Sequence, residues 1–330
     1  MMMMNYEEFK KEIMDRRDEF LTPQLADAEL YFQRTEKMNG SYNALVIHMP
    51  GDMISASVNL DRLYENNKNR TINDMIEDLK DIVSNSNLPL SEEAASKISD
   101  TIFSYEDVKK KLFIRCNNRE KNADMLEHCP YIAVEDLAVT AHVGIDWSQE
   151  HFPSCTVTIG YDMFDRWGVS KDTLFMDAIQ NSVKRLLPQW RPMAEVVKDI
   201  TDVDIEPQDK PDIYVLSNSQ GVYGSGTILY PDLLKNIHEQ IGNYYMLPSS
   251  IHEWLLLPES SEIEISYLED MVRSINKTEV KEEDFLSDEI YHFDGKKMEL
   301  ARQYERRMEI DQNISNSEPT PDTESKSIRV

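Results

Sequence analysis

Two reverse-turn signals in the first sixty residues place the strongest constraint on the fold. Asn39-Gly40 separates two strand-like segments, residues 30–34 and 42–49, and Pro50-Gly51-Asp52 precedes a third, residues 53–60, in which apolar and polar residues alternate. Short turns of this kind join antiparallel strands, because a parallel connection needs a crossover of a dozen or more residues. The sequence therefore predicts a three-stranded antiparallel meander and argues against a purely parallel, doubly wound sheet.

Helical patterns flank this meander. Apolar residues recur at helical spacing among charged residues over 6–20, and again over 72–83, where Thr71 is the predicted N-cap. Farther along, residues 132–143 form a strongly apolar segment whose apolar residues also fall at helical spacing. We expect this segment to be buried in a largely helical middle part of the chain.

The second half of the chain alternates between strand-like and helix-like segments. Residues 155–160 are rich in β-branched side chains, which is typical of a central strand. A helix over residues 161–167 should end at Gly168, because glycine readily adopts the left-handed conformation of a helix C-cap. The Gly-, Ser- and Asn-rich segment Ser217–Gly226 is predicted to be a hairpin connection, with residues 227–230 as the strand that follows it.

Together these patterns predict an α+β fold. We expect an N-terminal unit of helices and antiparallel strands over residues 1–88, a helical middle over 89–150, and a C-terminal mixed sheet flanked by helices over 151–295. A charged helix over 296–312 should follow. The last segment, residues 313–330, contains Ser, Pro and Thr but no aromatic residue, and is predicted to be disordered.

The chain is strongly acidic. It has 35 Lys and Arg against 61 Asp and Glu, so the formal net charge is −26. Nucleic acid binding depends on basic surfaces that neutralise phosphates, so we expect no direct binding to nucleic acid. Lys109-Lys110-Lys111 is instead predicted to be a solvated helix end. A carboxylate-rich surface that mimics the phosphates of DNA is an alternative use of the charge.

Cysteine usage and the N-terminal sequence both favour the cytoplasm. The three cysteines show no CxxC spacing, which is typical of free thiols in a reducing compartment. The N-terminal methionines are followed by the charged residues 7–12 rather than by the apolar segment of a secretory signal. Apolar runs such as 254–257 are far shorter than the roughly 20 residues of a bilayer span, so no membrane association is expected.

One short segment contains the ingredients of an activated nucleophile. Residues 249–253 read Ser-Ser-Ile-His-Glu, so Ser249, His252 and Glu253 are the candidate catalytic residues. A catalytic triad needs side chains that converge, whereas consecutive side chains diverge on either a helix or a strand. The pattern more simply predicts a capped turn before a buried strand.

The Gly-rich sequence Gly221–Gly226 is a second candidate site, because glycines let the backbone approach a phosphate closely. It lacks the Lys of a Walker loop, and its predicted place between two strands does not suit a dinucleotide loop. We therefore expect no cofactor.

Four residues are candidate metal ligands, with His128 as a spare: Cys129, His142, His151 and Cys155. Structural zinc sites usually show two tight ligand pairs, and here only His151 and Cys155 are close in sequence. We therefore expect no bound metal.

Ordered motifs in the second half carry a resemblance to a known family. They are Phe164–Ser170, Leu186–Pro188, Ile213–Asn218 with Gly224, Ile228–Pro231, Leu247–Glu253, Leu256–Pro258, Asn276–Val280 and Leu286–Asp288. Through these motifs the chain resembles the bacterial family described as domain of unknown function 5688, over roughly residues 5–293. That family is associated with anaerobic gut bacteria and has no assigned activity. The resemblance therefore implies kinship and supplies no catalytic residue.

We expect a non-catalytic cytoplasmic binding or accessory protein, whose partner is another protein or a small ligand. One alternative is a hydrolase-like enzyme with a site around His252 and the Ser217–Gly226 loop, and another is an acidic DNA mimic. The surroundings of His252 distinguish the first two. A ring within hydrogen-bond reach of a carboxylate and a Ser or Cys favours the enzyme, and an enclosed ring with a backbone partner favours the binding protein.

Overall fold

The computed structural model describes residues 4–37, 39–50, 55–67, 70–85, 102–145, 152–153, 156–201, 213–261 and 263–317 of the 330-residue chain. Its contacts divide the chain into two units. The first comprises Met1–Arg185 with Glu282–Phe285, and the second comprises Leu186–Lys281 with Leu286–Val330. Helices and antiparallel sheets make up both units, so the predicted α+β class is confirmed. The finer division into five segments stays a prediction.

The first unit begins with a capped helix and the predicted meander. The side chain of Asn5 accepts a hydrogen bond from the Glu8 amide at 2.9 Å, and the Glu8 carboxylate accepts one from the Asn5 amide at 3.0 Å. This capping box satisfies two amides that a helix start would otherwise leave unpaired. The helix and the strands that follow are α1 (Tyr6–Asp15), β1 (Glu29–Lys37), β2 (Gly40–His48) and β3 (Ala56–Asn59). The strands pair antiparallel in the order β1-β2-β3, so the predicted meander is confirmed.

Three further helices pack with α1 against this meander: α2 (Arg17–Phe20), α3 (Leu60–Asn66) and α4 (Ile72–Asn85). Their apolar faces and the inward side of β2 form one continuous core. It includes Phe9, Ile13, Phe20, Leu45, Leu60, Met75 and Leu79. These helices have 14 residues or fewer, so the burial of their apolar faces against the sheet stabilises them more than helix propensity does.

A second sheet lies in the part of the chain that we expected to be helical. The elements here are α5 (Tyr105–Val108), β4 (Leu112–Asn118), α6 (Ala123–Leu126), β5 (Tyr131–Val134), β6 (Leu137–Gly144), β7 (Thr156–Thr158), α7 (Tyr161–Trp167) and α8 (Lys171–Arg185). The prediction of a largely helical middle is therefore wrong for residues 131–144, which form β5 and β6. Strand β6 pairs with β4 on one side and with β5 and β7 on the other, and every residue of β6 is buried. A strand buried on both faces has no polar alternation, so its sequence is not distinguishable from that of a buried helix.

Two helix ends in this region have clear local causes. Helix α7 ends at Gly168, which adopts φ 63° in the left-handed region, so the predicted C-cap is confirmed. Helix α8 packs on β4, where the Ser182 hydroxyl accepts a hydrogen bond from the Ile114 amide at 3.1 Å. The buried face of α8 is formed by Leu174, Phe175, Ala178 and Ser182.

Four residues from far along the chain complete the first unit, and we call Glu282–Phe285 the return segment. The side-chain amide of Asn39, at the tip of the β1–β2 hairpin, donates to the carbonyls of Glu282, Glu283 and Phe285 at 3.1, 3.2 and 2.6 Å. The side-chain oxygen of Asn122 accepts a hydrogen bond from the backbone amide of Asn39 at 2.7 Å. The side-chain amide of Asn122 donates to the side-chain oxygen of Asn39 at 2.8 Å. The return segment is thus held by an interlocked asparagine pair.

The second unit contains a six-stranded antiparallel sheet. Its strands are β8 (Pro188–Pro192), β9 (Tyr214–Asn218), β10 (Tyr244–Ser250), β11 (Glu253–Pro258), β12 (Tyr291–Phe293) and β13 (Met298–Leu300). They lie in the order β13-β12-β10-β11-β9-β8, and each pairing between these described strands is antiparallel. The prediction of a mixed sheet is therefore wrong. The strands that the sequence did not reveal are the short β12 and β13 and the edge strand β8, whose two prolines are tolerated because it is an edge.

The helices of the second unit are α9 (Met193–Thr201), α10 (Leu233–Ile241), α11 (Ile265–Thr278) and α12 (Ala301–Ser317). Helix α11 packs its buried face against the sheet in a core with Tyr245, Leu247 and Leu257. The predicted charged helix is present, but it begins at Ala301, after the β12–β13 hairpin, and extends to Ser317. Residues 313–317 are therefore helical rather than part of a disordered tail, and residues 318–330 lie outside the described chain.

Candidate functional site

The Ser217–Gly226 loop does not form the predicted hairpin. After β9 the chain turns and enters a 3-10 helix, Gly224–Leu229, which leads into α10. The predicted strand over 227–230 is therefore wrong. Within the 3-10 helix the Thr227 hydroxyl donates to the Gly224 carbonyl at 2.7 Å, a local side-chain bond that competes with an extended conformation.

Serine hydroxyls attach this loop to the tight turn between β10 and β11. The Ser217 hydroxyl donates to the carbonyl of His252 at 2.8 Å, and the Ser225 hydroxyl donates to the carbonyl of Ile251 at 2.6 Å. The buried Trp254 indole in turn donates to the Ser225 carbonyl at 2.9 Å. Both serines are therefore bound to the main chain of the turn.

The imidazole of His252 also faces the main chain of the loop. Its Nδ1 accepts a hydrogen bond from the Tyr223 amide at 3.1 Å, and the two rings lie 5.5 Å apart. Because Nδ1 accepts, the neutral ring carries its proton on Nε2. The Ser249 hydroxyl donates to the Glu253 carboxylate at 3.1 Å. The structure thus brings Ser249 and Glu253 together, and it directs Nδ1 of His252 to a backbone amide rather than to a hydroxyl.

Gly224 is required where the loop crosses this turn. A Cβ at this position would lie 2.3 Å from Oγ of Ser217 and 2.4 Å from the carbonyl oxygen of His252. Real Cβ atoms do not approach other atoms so closely. The glycine therefore permits contact between two chain segments, which is a structural use rather than the phosphate approach considered for Gly221–Gly226.

The candidate metal ligands have other partners. Cys129 is buried among Leu126, Met125 and Ala138. His142 is buried between two hydroxyls, with Nε2 2.8 Å from Thr140 Oγ1 and Nδ1 3.3 Å from Thr158 Oγ1.

The remaining candidates do not complete a site. The spare residue, His128, is exposed, and its carbonyl accepts from the Tyr161 amide at 2.9 Å. His151 and Cys155 lie outside the described residues. Within the described ranges no three His, Cys, Asp or Glu side chains form a metal-binding group.

A polar cluster that the sequence did not reveal lies in the second unit, and we call it the His292 cluster. Its members are His292, Glu259, Asn243, His238 and Tyr304. The Glu259 carboxylate accepts hydrogen bonds from the side-chain amide of Asn243 at 2.8 Å and from the Tyr304 hydroxyl at 3.1 Å. The side-chain oxygen of Asn243 lies 3.0 Å from Nε2 of His238. These residues come from separate elements spread over more than sixty positions, so no local motif could have indicated the cluster.

His292 is the central residue of this cluster. It is fully buried, and its ring stacks on Tyr304 with centroids 3.6 Å apart and an angle of 14°. Nε2 lies 3.4 Å from a carboxylate oxygen of Glu259, yet neither ring nitrogen makes a hydrogen bond to the described chain. Burial lowers the pKa of His292, and the nearby Glu259 carboxylate opposes this effect only in part. The ring is therefore neutral near pH 7.

Acid should destabilise the protein through the two histidines that are buried in the described part of the chain, His142 and His292. Burial lowers the pKa of His142 well below its usual range, with Arg115 adding to the effect, and also lowers that of His292. In the unfolded chain both have an ordinary pKa of about 6.5, so below that pH the unfolded state binds more protons. The free energy of unfolding should fall as pH decreases from 7.5 to 5.5, by up to about 1.4 kcal/mol per pH unit for each histidine.

Urea denaturation at pH 7.5, 6.5 and 5.5 measures this effect. His292→Phe keeps an aromatic ring but cannot titrate, so its decline should be shallower than that of the wild type. His128→Gln, at an exposed position, should leave the decline unchanged. An equal pH dependence in all three proteins would contradict the role assigned to His292.

The first unit contains an open cleft of about 670 Å³ between β3, α3 and α4. Its charged lining residues are Arg62, Arg70, Asp78 and Asp81. Arg70 donates to Asp78 at 2.7 Å and to the side chain of Asn67. Positive and negative charges are therefore balanced in the lining, and the cleft does not favour one class of charged ligand.

Comparison with known proteins places the chain in a family. No curated protein and no solved structure matches it. None of the described helices is long and apolar enough to cross a bilayer. A family model described as "Family of unknown function (DUF5688)" matches residues 6–295, which is most of the chain and includes both the His252 turn and His292. The resemblance found in the sequence motifs is thereby confirmed, and the chain belongs to this family of unknown function, DUF5688.

Proposed function

We propose that this chain is a non-catalytic binding or accessory protein of the cytoplasm. The observation that carries the proposal is the hydrogen bonding of the His252 turn. The hydroxyls of Ser217 and Ser225 donate to main-chain carbonyls of the turn, and Nδ1 of His252 accepts a main-chain amide. An activated serine needs its hydroxyl beside a free basic nitrogen. These side chains instead stabilise the contact between two chain segments.

The cysteines support the same proposal. Cys116 and Cys129 are buried free thiols. Burial raises the pKa of Cys129 to about 11 and that of Cys116 still further, so neither forms the thiolate that a nucleophile requires. Free thiols are also typical of a reducing compartment, which supports a cytoplasmic location.

The net charge supports a binding role through electrostatic complementarity. A formal charge of −26 attracts partners with exposed cationic groups and increases their association rate, and it disfavours polyanions. The DNA-mimic alternative uses the same charge and stays a prediction from composition. The hydrolase alternative has the contact between Ser249 and Glu253 at 3.1 Å in its favour, but Nδ1 of His252 accepts from the Tyr223 amide.

A hydrolysis assay tests the proposal against the hydrolase alternative. Purified protein is incubated with p-nitrophenyl acetate, p-nitrophenyl phosphate and a peptide p-nitroanilide, beside the variants His252→Gln and Ser249→Ala. His128→Gln is the matched control at an exposed histidine. We expect the release of p-nitrophenol or p-nitroaniline to be the same in all four proteins. A rate that falls at least tenfold in His252→Gln and is retained in His128→Gln would contradict the proposal.

A further inference from the structure

Helix α12 is attached to the sheet of the second unit by one tyrosine and two arginines. Tyr304 is 7% exposed, and its hydroxyl donates to Glu259 while its ring covers His292. The phenol therefore makes both an aromatic and a polar contact. The imidazole of His292 and the carboxylate of Glu259 therefore bind the aromatic face and the hydroxyl of the same phenol.

The two arginines lie on either side of this tyrosine and bind carboxylates of the sheet and of α11. Arg302 forms a two-pronged contact with Glu269, at 2.8 and 2.9 Å. Arg307 donates to Asp294 at 2.7 Å and to Glu299 at 3.1 Å. Paired contacts of this kind have a defined geometry, which a single lysine charge does not provide. We call the surface formed by Glu259, Glu269, His292, Asp294 and Glu299 the α12 site.

The carboxylates of the α12 site are prepared for a cationic occupant. The side chains of Glu269, Asp294 and Glu299 are 12%, 14% and 6% exposed. The hydrogen bond from Arg302 lowers the pKa of Glu269. Burial alone would raise the pKa of Asp294, but the amides of Lys297 and Lys296 and the Arg307 guanidinium lower it to about 2. Without the arginines, Glu269 would lose its two-pronged ion pair. Glu299 would keep Lys297 at 2.7 Å, and Asp294 would keep the amides of Lys296 and Lys297.

The buried side chains of α12 that the structure describes lie near the start of the helix. Ala301 and Tyr304 are buried, whereas Met308 and Ile310 are 37% and 58% exposed. The side chains of Arg302 and Arg307 are themselves 44% and 37% exposed, so solvent screens their ion pairs. Local opening of a terminal helix with screened ion pairs costs less free energy than global unfolding.

The α12 site and helix α12 differ in whether they lie within the residues that the family model matches. Glu259, Glu269, His292 and Asp294 lie within the matched residues 6–295. Arg302, Tyr304 and Arg307 lie beyond them. The family region therefore contains most of the surface, and a following segment of the same chain covers it.

We propose that the α12 site is a protein-binding site, and that α12 occupies it in competition with a partner. The partner is a protein with a helical segment that carries a tyrosine with arginines two residues before and three residues after it, as Tyr304 is placed between Arg302 and Arg307. This proposal rests on the proposed binding role and names its partner class. Because α12 is tethered, its effective concentration is in the range of millimolar, so the partner binds only weakly until α12 is released.

Fluorescence anisotropy with the full chain tests the proposal. The probe is a fluorescein-labelled peptide with the sequence of α12, residues 301–317, and the proteins are the wild type and Tyr304→Ala. Loss of the phenol weakens the tethered occupant, so we expect the variant to bind the peptide at least tenfold more tightly than the wild type. Adding Glu269→Gln to this variant should reverse most of the gain, because it removes the negative charge and one of the two acceptor oxygens that bind the first arginine.

Matched peptides and a mass measurement complete the test. A peptide in which the tyrosine is replaced by alanine should bind Tyr304→Ala at least tenfold more weakly than the native peptide. Equal binding of both peptides, or equal binding by both proteins, would contradict the proposal. Light scattering that shows a dimer, lost in Tyr304→Ala, would also contradict it, since the site would then take α12 of a second copy.

Hydrogen exchange on the wild type keeps the test valid if Tyr304→Ala does not fold. Amides of α12 should exchange at least tenfold faster than those of β10 and β11, which shows that the helix leaves its site while the sheet remains folded. Exchange of α12 only together with the sheet would contradict the proposal.

These outcomes are separate from the hydrolysis assay. Turnover that depends on His252 would contradict the binding role, whereas failed peptide binding without turnover contradicts only the partner proposed for the α12 site.

Discussion

Gly224→Ala should destabilise the protein by about 3 kcal/mol, because overpacking of a well-packed region costs 1–3 kcal/mol and occasionally more. The new Cβ would lie 2.3 Å from Oγ of Ser217, 2.4 Å from the His252 carbonyl oxygen and 2.8 Å from the Ser217 Cα. Two of these three atoms belong to the main chain, so rotation of a side chain cannot relieve the contact. The loop would have to separate from the turn, with loss of the Ser217 and Ser225 hydrogen bonds.

Urea denaturation of Gly224→Ala and of a matched variant measures this effect. Gly40→Ala is the control, because a Cβ on Gly40 has no atom within 4 Å. We expect the control to change the free energy of unfolding by less than about 1 kcal/mol, as a difference in backbone entropy alone would. The double variant Gly224→Ala with Ser217→Ala should remain destabilised, since the main-chain contacts persist. Similar stability of both single variants would show that the loop and turn are not in close contact.

Asn39→Ala should destabilise the first unit by about 3 kcal/mol, through three effects that act together. The two N–H groups of the side-chain amide are shared among three carbonyls of the return segment, and each lost hydrogen bond costs roughly 0.5–1.5 kcal/mol. The buried Asn122 would lose its side-chain partner. Asn39 also has φ 63°, a conformation that asparagine tolerates better than alanine does.

A second substitution separates these effects. Asn39→Gly removes the same side chain but permits the positive φ, so it should be less destabilising than Asn39→Ala by about 1 kcal/mol. In both variants hydrogen exchange should increase at residues 282–285, and it should not change in β10 and β11. Unchanged exchange at the return segment would contradict the role assigned to the interlocked asparagine pair.

Parts of the fold with a local cause could be predicted from the sequence. The meander follows from Asn39-Gly40 and the alternation around it, and the end of α7 follows from Gly168. Predictions were wrong where long-range pairing decides the structure. Residues 132–143 are apolar at helical spacing, yet they pair with β4 and β7 as strands. Residues 227–230 include two β-branched residues and a tyrosine, which favour a strand. They nevertheless lie in and beside a 3-10 helix, where the Thr227 hydroxyl donates to the Gly224 carbonyl and the Tyr230 amide donates to the Thr227 carbonyl.

The candidate site could be predicted only in part. The sequence predicted a capped turn around Ser249 and His252. It did not indicate that Ser217, Tyr223 and Ser225, about thirty positions away, would bind this turn. The His292 cluster has no sequence signal at all. The register of β10 with β11 and β12 brings His292 close to Glu259, and α12 adds Tyr304 from a later part of the chain.

The return segment also affects how the chain folds during synthesis. The hairpin tip at Asn39 is made early, but its partners at residues 282–285 emerge from the ribosome only after most of the second unit has been translated. At about 5–20 residues per second, the roughly 100 residues after Arg185 take about 5–20 s. Throughout that interval the nascent first unit is incomplete, so a ribosome stalled before residue 282 would hold a chain whose N-terminal unit cannot yet close.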